Sequence, residues 1–166
     1  MKRIIIFGNS GSGKSTLAKK VSVQHKLGHL DLDTLAWQNT SPPQRMPIEE
    51  SQIGINKFLE KNDNWVIEGC YSDLIKLVIP LSTKIIFMDL SIDECVKNAS
   101  NREWEPHKYS SKEEQDKNLS MLIDWIRNYN IRTDTFSRES HSSIFELYSG
   151  DKIKVCSNKE SLNWDA

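Results

Sequence analysis

The stretch FGNSGSGKST, from Phe7 to Thr16, stands directly after the apolar residues Ile4 to Ile6. It contains three glycines within six residues, and this density indicates a backbone with unusual dihedral angles or a very close neighbour. Gly8, four further residues and then Gly13-Lys14-Ser15 have the spacing of a phosphate-binding loop. In such a loop successive main-chain N–H groups surround an anion, and the positive end of the following helix adds to the attraction. The stretch therefore predicts a phosphate site.

The residues on either side of the stretch support this interpretation. Lys2 to Phe7 indicate a short, apolar, β-branched strand. The spacing of Leu17, Ala18 and Val21 predicts a helix over Lys14 to His25. A phosphate loop needs this order of strand, loop and helix. The alternative is a flexible Gly/Ser turn that happens to contain a lysine. Such a turn requires neither a preceding strand nor a following helix.

Each residue type in the loop has a physical role in binding a nucleotide. Lys14 would reach the β- and γ-phosphates, and the Ser15 hydroxyl would coordinate Mg²⁺. We therefore expect ATP and Mg²⁺ as cofactors. The expected nucleotide-binding residues are Gly8, Asn9, Ser10, Gly11, Ser12, Gly13, Lys14, Ser15 and Thr16.

Length and charge limit the classes of function. The chain has 166 residues, which favours a single domain over 1–166, and its 37% hydrophobic and 27% charged residues are ordinary for a globular protein. A net charge of −1 gives no overall attraction to nucleic acid, so direct nucleic-acid binding is not expected. Cys70, Cys95 and Cys156 lack C-x-x-C spacing and are expected to be reduced thiols. Without a signal peptide or a membrane-spanning run, we expect a cytoplasmic protein.

Strand-like and helix-like segments alternate along the chain, which favours a parallel α/β sheet. After the first strand, further strands are predicted at Gly28–Leu32, Trp65–Ile67, Lys84–Leu90 and Ile153–Cys156. Helices are predicted from Pro47, from Ser72 to Pro80, after the capping pair Ser91 and Glu94, over Lys112–Tyr129 behind the capping pair Ser111 and Glu114, and from Ser137 to Ser149. The helix over Lys112–Tyr129 is expected to be continuous because its apolar residues fall on one stripe.

Four carboxylates stand at the ends of predicted strands. Glu68 and Asp89 each end an apolar strand, and either could hold Mg²⁺ through water, since the carboxyl ends of parallel strands face the ligand crevice. The strand that Glu68 ends is expected beside the phosphate loop, which favours Glu68. Asp31 and Asp33 alternate and so point to one face, where Asp31 would serve the metal and Asp33 the acceptor. Turn or helix-entry acids are the structural alternative for all four.

Phosphoryl transfer also needs cations for the migrating charge. Arg102 lies at the start of the polar segment NREWEPHKYS (101–110), and Arg132 lies in the segment RTD. Both are predicted to close over the phosphates, and the alternative for each is a solvated surface arginine. His107 and His141 have no partner at a recognisable spacing and are expected to be structural or exposed.

The chain resembles the P-loop nucleoside and nucleotide kinases in segments that keep their order, namely GNSGSGKST, HLDLDTLAW, WVIEG, KIIFMDL, NREW, NIRTD and HSSIFELYSGDKIKV. It is similar to adenylate kinase and shikimate kinase, and most similar to the adenylate-kinase-related set labelled topology modulation proteins. The resemblance covers nearly the whole chain. It implies an α/β fold, the three-layer αβα P-loop NTPase fold, with a five-stranded parallel sheet in the order 2-3-1-4-5. It also implies an acceptor-binding region at about residues 33–62 and a small lid at about 101–112.

The resemblance bears on individual site residues as well. In shikimate-kinase-like enzymes an Asp-x-Asp after the second strand helps to hold the metal and the acceptor hydroxyl, and this pattern falls on Asp31 and Asp33. The chain departs from the family at Glu68, where Asp is usual. It also departs at Lys97-Asn98, where an additional arginine is often found.

Together these features predict an ATP- and Mg²⁺-dependent phosphotransferase. Its acceptor is expected to be a small molecule, such as a nucleoside, a nucleotide or another hydroxyl compound. The predicted catalytic residues are Lys14, Asp33, Arg102 and Arg132, and the predicted metal-associated residues are Ser15, Glu68 and Asp31.

Two other classes of function are alternatives to this prediction. The first is an ATP-binding regulatory or switch protein, which would use the loop without a dedicated acceptor. The label of the topology modulation proteins, which this chain resembles, suggests that such a protein would have a DNA-related effect. The chain offers no basic stripe for direct DNA binding. A GTPase fits poorly, because no Asp-x-x-Gly occurs and SNKES has Ser161 where guanine recognition needs an aspartate.

Overall fold

The computed structural model describes residues 1–106 and 108–162, and its centre is a five-stranded parallel sheet. The strands are β1 (Arg3–Gly8), β2 (Gly28–Asp31), β3 (Trp65–Gly69), β4 (Lys84–Met88) and β5 (Asp151–Val155). Their spatial order is β2-β3-β1-β4-β5, and every neighbouring pair is parallel. This confirms the predicted order, and no strand boundary differs from its prediction by more than two residues.

Helices pack on both faces of this sheet. They are α1 (Lys14–His25), α2 (Asp33–Ala36), α3 (Ile48–Leu59), α4 (Ser72–Val78), α5 (Ile92–Ser100), α6 (Lys112–Lys117), α7 (Leu119–Arg127), α8 (Arg138–Leu147) and α9 (Asn158–Leu162), with 3₁₀ turns at Ile79–Leu81 and Asn128–Asn130. The short helices α2 and α9 were not predicted. No helix in the described ranges is both long and apolar enough to cross a membrane.

The side chains of β1 alternate between the two faces and explain the three layers. Ile4 and Ile6 point to one face, where they pack with residues of α1, α5 and α7. Ile5 and Phe7 point to the other face, where they pack with residues of α3, α4 and α8. All four side chains are buried, so β1 is the central strand of a sheet covered on both sides, as is usual for parallel sheets.

The segment predicted as one helix over Lys112–Tyr129 is divided at Asn118 into α6 and α7, which corrects the prediction. The Asn118 side-chain amide donates to the carbonyl of Glu114 at 2.9 Å. That carbonyl is the acceptor that the Asn118 backbone N–H would use in a continuous helix. The N–H bonds instead to the carbonyl of Gln115 at 3.2 Å. The apolar stripe indicated helix correctly, but it carries no information on this local competition.

The register of the sheet brings three strand ends to one edge. Asp31 at the end of β2 pairs with Glu68 in β3. Glu68 in turn pairs with Ile6 in β1, two residues before the phosphate loop begins at Gly8. The carboxyl ends of parallel strands open on the same crevice. The fold therefore places two of the predicted acidic residues beside the predicted phosphate loop.

His141 is fully buried under this edge and has a structural role, in line with the expectation from sequence. Its Nε2 lies 2.9 Å from the Cys70 carbonyl oxygen, and its Nδ1 lies 2.7 Å from the Tyr129 hydroxyl. Burial lowers the pKa of His141 to about 4, so the ring is neutral at physiological pH. The neutral ring can donate to Cys70 and accept from Tyr129, which fixes the chain directly after β3. His107 lies outside the described residues.

Candidate active site

The loop from Gly8 to Ser15 has the backbone conformation that its glycines predict. Gly11 and Gly13 have φ angles of +74° and +88°, in the left-handed region that other residues rarely adopt. Gly11 also lies directly against α5, because a Cβ atom added to it would overlap the carbonyl oxygen of Cys95. The Asn98 side-chain amide donates to the Gly11 carbonyl at 2.9 Å and ties the loop to the same helix. Close approach and positive φ therefore both require glycine here.

Lys14 lies inside the loop. Its ammonium donates to the carbonyl of Asn9 at 2.7 Å, and the residue is only 9% exposed. Asn9 is anchored in turn, because its side-chain amide donates to the carbonyl of Ile126 at 3.2 Å. A buried ammonium at the first residue of α1 makes a cationic site, which suits the phosphates of a nucleotide. Ser15 is the second residue of α1, and Thr16 beside it is exposed.

A cleft of about 170 Å³ opens between this loop, the end of β3 and the segment that follows α5. The predicted site residues that line it are Ser10, Gly11, Lys14, Ser15, Asp33, Glu68 and Arg102. Lys108, which the sequence did not predict as a site residue, lines it as well. The phosphate loop and the proposed acceptor carboxylate therefore share one cavity, although α1 and β2 separate them in the chain.

Asp33 is held by two donors. Its Oδ1 accepts from the Tyr71 hydroxyl at 2.5 Å, and its Oδ2 accepts from the Lys108 ammonium at 3.1 Å. Burial alone would raise the pKa of Asp33, but Lys108, Tyr71 and Lys14 outweigh it and hold the pKa below its usual value. The Trp37 indole N–H donates to the same Tyr71 hydroxyl at 2.7 Å. Asp33 is thus a fixed, ionised carboxylate that can orient an acceptor hydroxyl.

Asp31 lies in a different electrostatic environment. Burial, Glu68 and Asp33 together raise the pKa of its carboxyl to about 6. Its Oδ1 accepts a hydrogen bond from the backbone N–H of Asp33 at 2.9 Å. Asp31 therefore forms a turn of the kind that the sequence offered as the alternative to a functional role. Asp31 is not among the residues that line the cleft, but its Oδ2 lies 3.9 Å from Nζ of Lys108, which does line it.

Glu68 supplies the main argument that this edge suits a cation. It is 1% exposed, and its Oε1 has no hydrogen-bond partner among the described residues. His29 Nε2, which also has no hydrogen-bond partner among the described residues, lies 3.6 Å from Glu68 Oε1. A buried carboxylate oxygen without a partner is unfavourable unless a cation or a donor reaches it. Within the described ranges no three His, Cys, Asp or Glu side chains form a metal site by themselves, so Mg²⁺ here would rely on nucleotide phosphates and Ser15 as well.

Asp89, the other candidate for the metal-associated acid, has a different partner. Its two carboxylate oxygens accept from Arg138 at 2.9 and 2.8 Å. This bidentate pair uses the whole carboxylate. Glu68, with its unpartnered oxygen, is therefore the better candidate of the two.

The two predicted lid arginines have different positions. Arg102 lines the cleft and pairs with Glu105 at 3.1 Å. Arg132 forms a bidentate pair with Asp134 at 2.8 and 2.6 Å, and its guanidinium lies 3.6 Å from the centre of the Trp125 ring. Arg132 is not among the residues that line the cleft. The proposed catalytic role of Arg132 stays a prediction.

Sequence reasoning missed Lys108 and Tyr71 as site residues. Lys108 stands in the polar segment whose first arginine was selected, but nothing in the local pattern distinguishes it. Tyr71 follows Glu68 by three positions, and an aromatic residue there could equally be core. Cys70 also lines the cleft, but burial raises the pKa of its thiol to about 12, which makes it a poor nucleophile.

The raised pKa of Asp31 leads to a testable change in stability. The carboxyl would titrate near 4 in the unfolded chain, so the folded state favours the protonated form, and this contribution is lost as the pH rises through about 6. We expect Asp31→Asn to raise the free energy of unfolding by about 1–2 kcal/mol at pH 7.5. At pH 4.5 this increase in the free energy of unfolding should be less than half as large.

Chemical denaturation at the two pH values measures this change. Asp124→Asn, at an exposed position of α7, is the matched control and should show little change at either pH. Equal gains at pH 7.5 and pH 4.5 would contradict the assigned pKa.

No family model matches the chain. The uncharacterized protein YqaC of Bacillus subtilis (strain 168) is 28% identical over 174 residues, which cover 98% of this chain and 94% of that protein. An unliganded sugar kinase structure from Janibacter sp. HTCC2649 matches 94% of this chain and 85% of its own, with a TM-score of 0.52 and 13% identity. The chain has the fold of a P-loop kinase.

A shikimate kinase structure from Bacteroides thetaiotaomicron is also similar, with a TM-score of 0.48 and 16% identity over 88% of this chain and 97% of that chain. At 13% identity, the sugar kinase structure shows only the fold that it shares with this chain. The uncharacterized relative supplies no activity. Substrate and chemistry must therefore be argued from the residues of the cleft.

Proposed function

We propose that this P-loop kinase-like protein is an ATP- and Mg²⁺-dependent phosphotransferase that acts on a hydroxyl or phosphate group of a small molecule. The observation that carries the proposal is the shared cleft, in which Lys14 of the phosphate loop and Asp33 after β2 line one cavity. A donor site and an acceptor carboxylate in one cavity are what a direct transfer between two substrates requires.

The residues of the cleft suit the steps of such a transfer. The loop amides and Lys14 would bind the β- and γ-phosphates, and Asp33 would accept the hydrogen bond of the acceptor hydroxyl. A new bond forms between the acceptor oxygen and the γ-phosphorus, while the bond from that phosphorus to the bridging oxygen of ADP breaks. The hydroxyl proton passes to Asp33. Arg102 would stabilise the negative charge on the migrating group.

Mg²⁺, when bound, would neutralise charge on the β- and γ-phosphates. Ser15 and Glu68 would hold it, with Asp31 beside them. The fit rests on the unpartnered buried oxygen of Glu68 and on the preference of Mg²⁺ for oxygen ligands combined with substrate phosphates. The pairing of Asp89 with Arg138 supports Glu68 for this role.

ADP release measured in a coupled assay, across nucleosides, nucleotides and small alcohols, tests the proposal. We expect one class of acceptor to stimulate ADP release, and we expect Asp33→Asn to lower that stimulated rate about 100-fold or more. Asp93→Asn, on the outer side of α5, is the matched control. ATP binding without stimulation by any acceptor would favour the alternative, an ATP-binding regulatory protein.

A further inference from the structure

The Lys108 ammonium occupies a position between carboxylates that the proposed function assigns to metal and acceptor. Its Nζ lies 3.1 Å from Asp33 Oδ2, 3.9 Å from Asp31 Oδ2 and 3.8 Å from Glu105 Oε1. The side chains of Lys108, Asp31 and Asp33 are 25%, 18% and 40% exposed. These contacts are therefore partly shielded from water, where opposite charges interact more strongly than in a solvated surface pair.

A third carboxylate lies behind this pair. Glu68 is the residue of β3 that pairs with Asp31 of β2, and Glu68 Oε1 is buried without a hydrogen-bond partner among the described residues. The edge thus holds three carboxylates, and one oxygen of Glu68 has no donor among the described residues. Lys108 is the cation whose ammonium lies within 4 Å of both Asp31 and Asp33.

A divalent cation bound through Asp31 would lie close to the same ammonium. Two positive charges separated by a few ångström repel each other strongly when they are shielded from water. Such a cation would therefore compete with the Lys108 ammonium for the same carboxylates.

We propose that Lys108 is an internal counter-ion that occupies the Asp31–Asp33 carboxylate pair and opposes the binding of a divalent cation there until its ammonium moves away. The inference rests on the proposed function, because it concerns the regulation of the same site. Lys108 acts on the metal through the two aspartates, so it is a positioning residue. Since it lines the same cleft as Lys14, the phosphates of an incoming nucleotide offer its ammonium another partner.

Mn²⁺ binding without nucleotide tests this inference, with free Mn²⁺ counted by electron paramagnetic resonance. Mn²⁺ is a suitable probe because it prefers the same hard oxygen ligands as Mg²⁺. Removing the ammonium in Lys108→Met should make Mn²⁺ bind about tenfold more tightly than in the wild type. Lys108→Arg keeps the charge and should bind Mn²⁺ as the wild type does.

Lys112→Met is the matched control, because Lys112 stands in the same region but pairs with Asp116 on α6, and its side chain is 47% exposed. Lys108→Gln repeats the test if the methionine variant does not fold. The gain should vanish in Lys108→Met combined with Asp31→Asn and Asp33→Asn. Equal affinities for Lys108→Met and Lys112→Met, a gain that survives in the combined variant, or no measurable Mn²⁺ binding in any variant would each overturn the inference.

This experiment contains neither ATP nor an acceptor. A failure to find kinase activity would count against the proposed function and would leave the Mn²⁺ result unaffected. A failure of Lys108→Met to change Mn²⁺ affinity would overturn the role of Lys108 and would leave the phosphotransferase proposal standing.

Discussion

Lys14→Ala is expected to weaken the binding of Mg·ATP about 100-fold, because it removes a buried ammonium that would make charge-assisted hydrogen bonds to phosphate. Stimulated ADP release should fall further, by about 1000-fold, since the same ammonium would also stabilise charge that develops during transfer. Isothermal titration calorimetry with Mg·ATP measures the first effect, and the coupled assay measures the second.

The fold should tolerate this change. Among the described residues, Lys14 donates to the Asn9 carbonyl at 2.7 Å. Burying an ammonium is itself unfavourable, so we expect the free energy of unfolding to change by less than about 1 kcal/mol. Lys19→Ala, at an exposed position of the same helix, is the matched control and should bind Mg·ATP normally. Unchanged binding in Lys14→Ala would remove the basis for a nucleotide site in this loop.

The parts of the site that the sequence predicts are those set by local pattern. A phosphate loop is a contiguous segment, so its spacing and the flanking strand and helix could all be identified from neighbouring residues. The same is true of Asp31, Asp33 and Glu68, because each stands at the end of a recognisable strand or within two residues of it. Parallel register then determines that strand ends meet at one edge, which is why β2 and β3 bring these acids together.

The parts that could not be predicted depend on contacts between distant segments. Tyr71 bonds to Asp33 across 38 positions, and Lys108 bonds to Asp33 across 75. Neither contact has a periodic signal in the sequence, and Lys108 was one of several cations in a polar segment. Arg132 was predicted as a site residue from its place in the segment RTD. Its contacts with Trp125 and Asp134 could not be predicted from that segment.

Gly11→Ala is expected to destabilise the protein by about 2–4 kcal/mol, through a forced shift of α5 together with backbone strain. The new Cβ would overlap the carbonyl oxygen of Cys95, which is backbone and cannot move without its helix. A shift of α5 would also weaken the bond from Asn98 to the Gly11 carbonyl. Chemical denaturation without ligand measures the change, because no effect on nucleotide binding can then contribute.

Gly13→Ala is the matched control for this prediction. Gly13 has a similar φ angle, +88° against +74°, but the nearest atom to its added Cβ is Met88 Cε at 3.9 Å, an ordinary contact. Alanine at position 13 should therefore cause only the backbone strain, about 1–2 kcal/mol. The amount by which Gly11→Ala lowers the free energy of unfolding more than Gly13→Ala does measures the packing of the loop against α5. Equal losses at the two positions would mean that α5 does not press on the loop, and the rigid phosphate site inferred from Gly11 would have no support from packing.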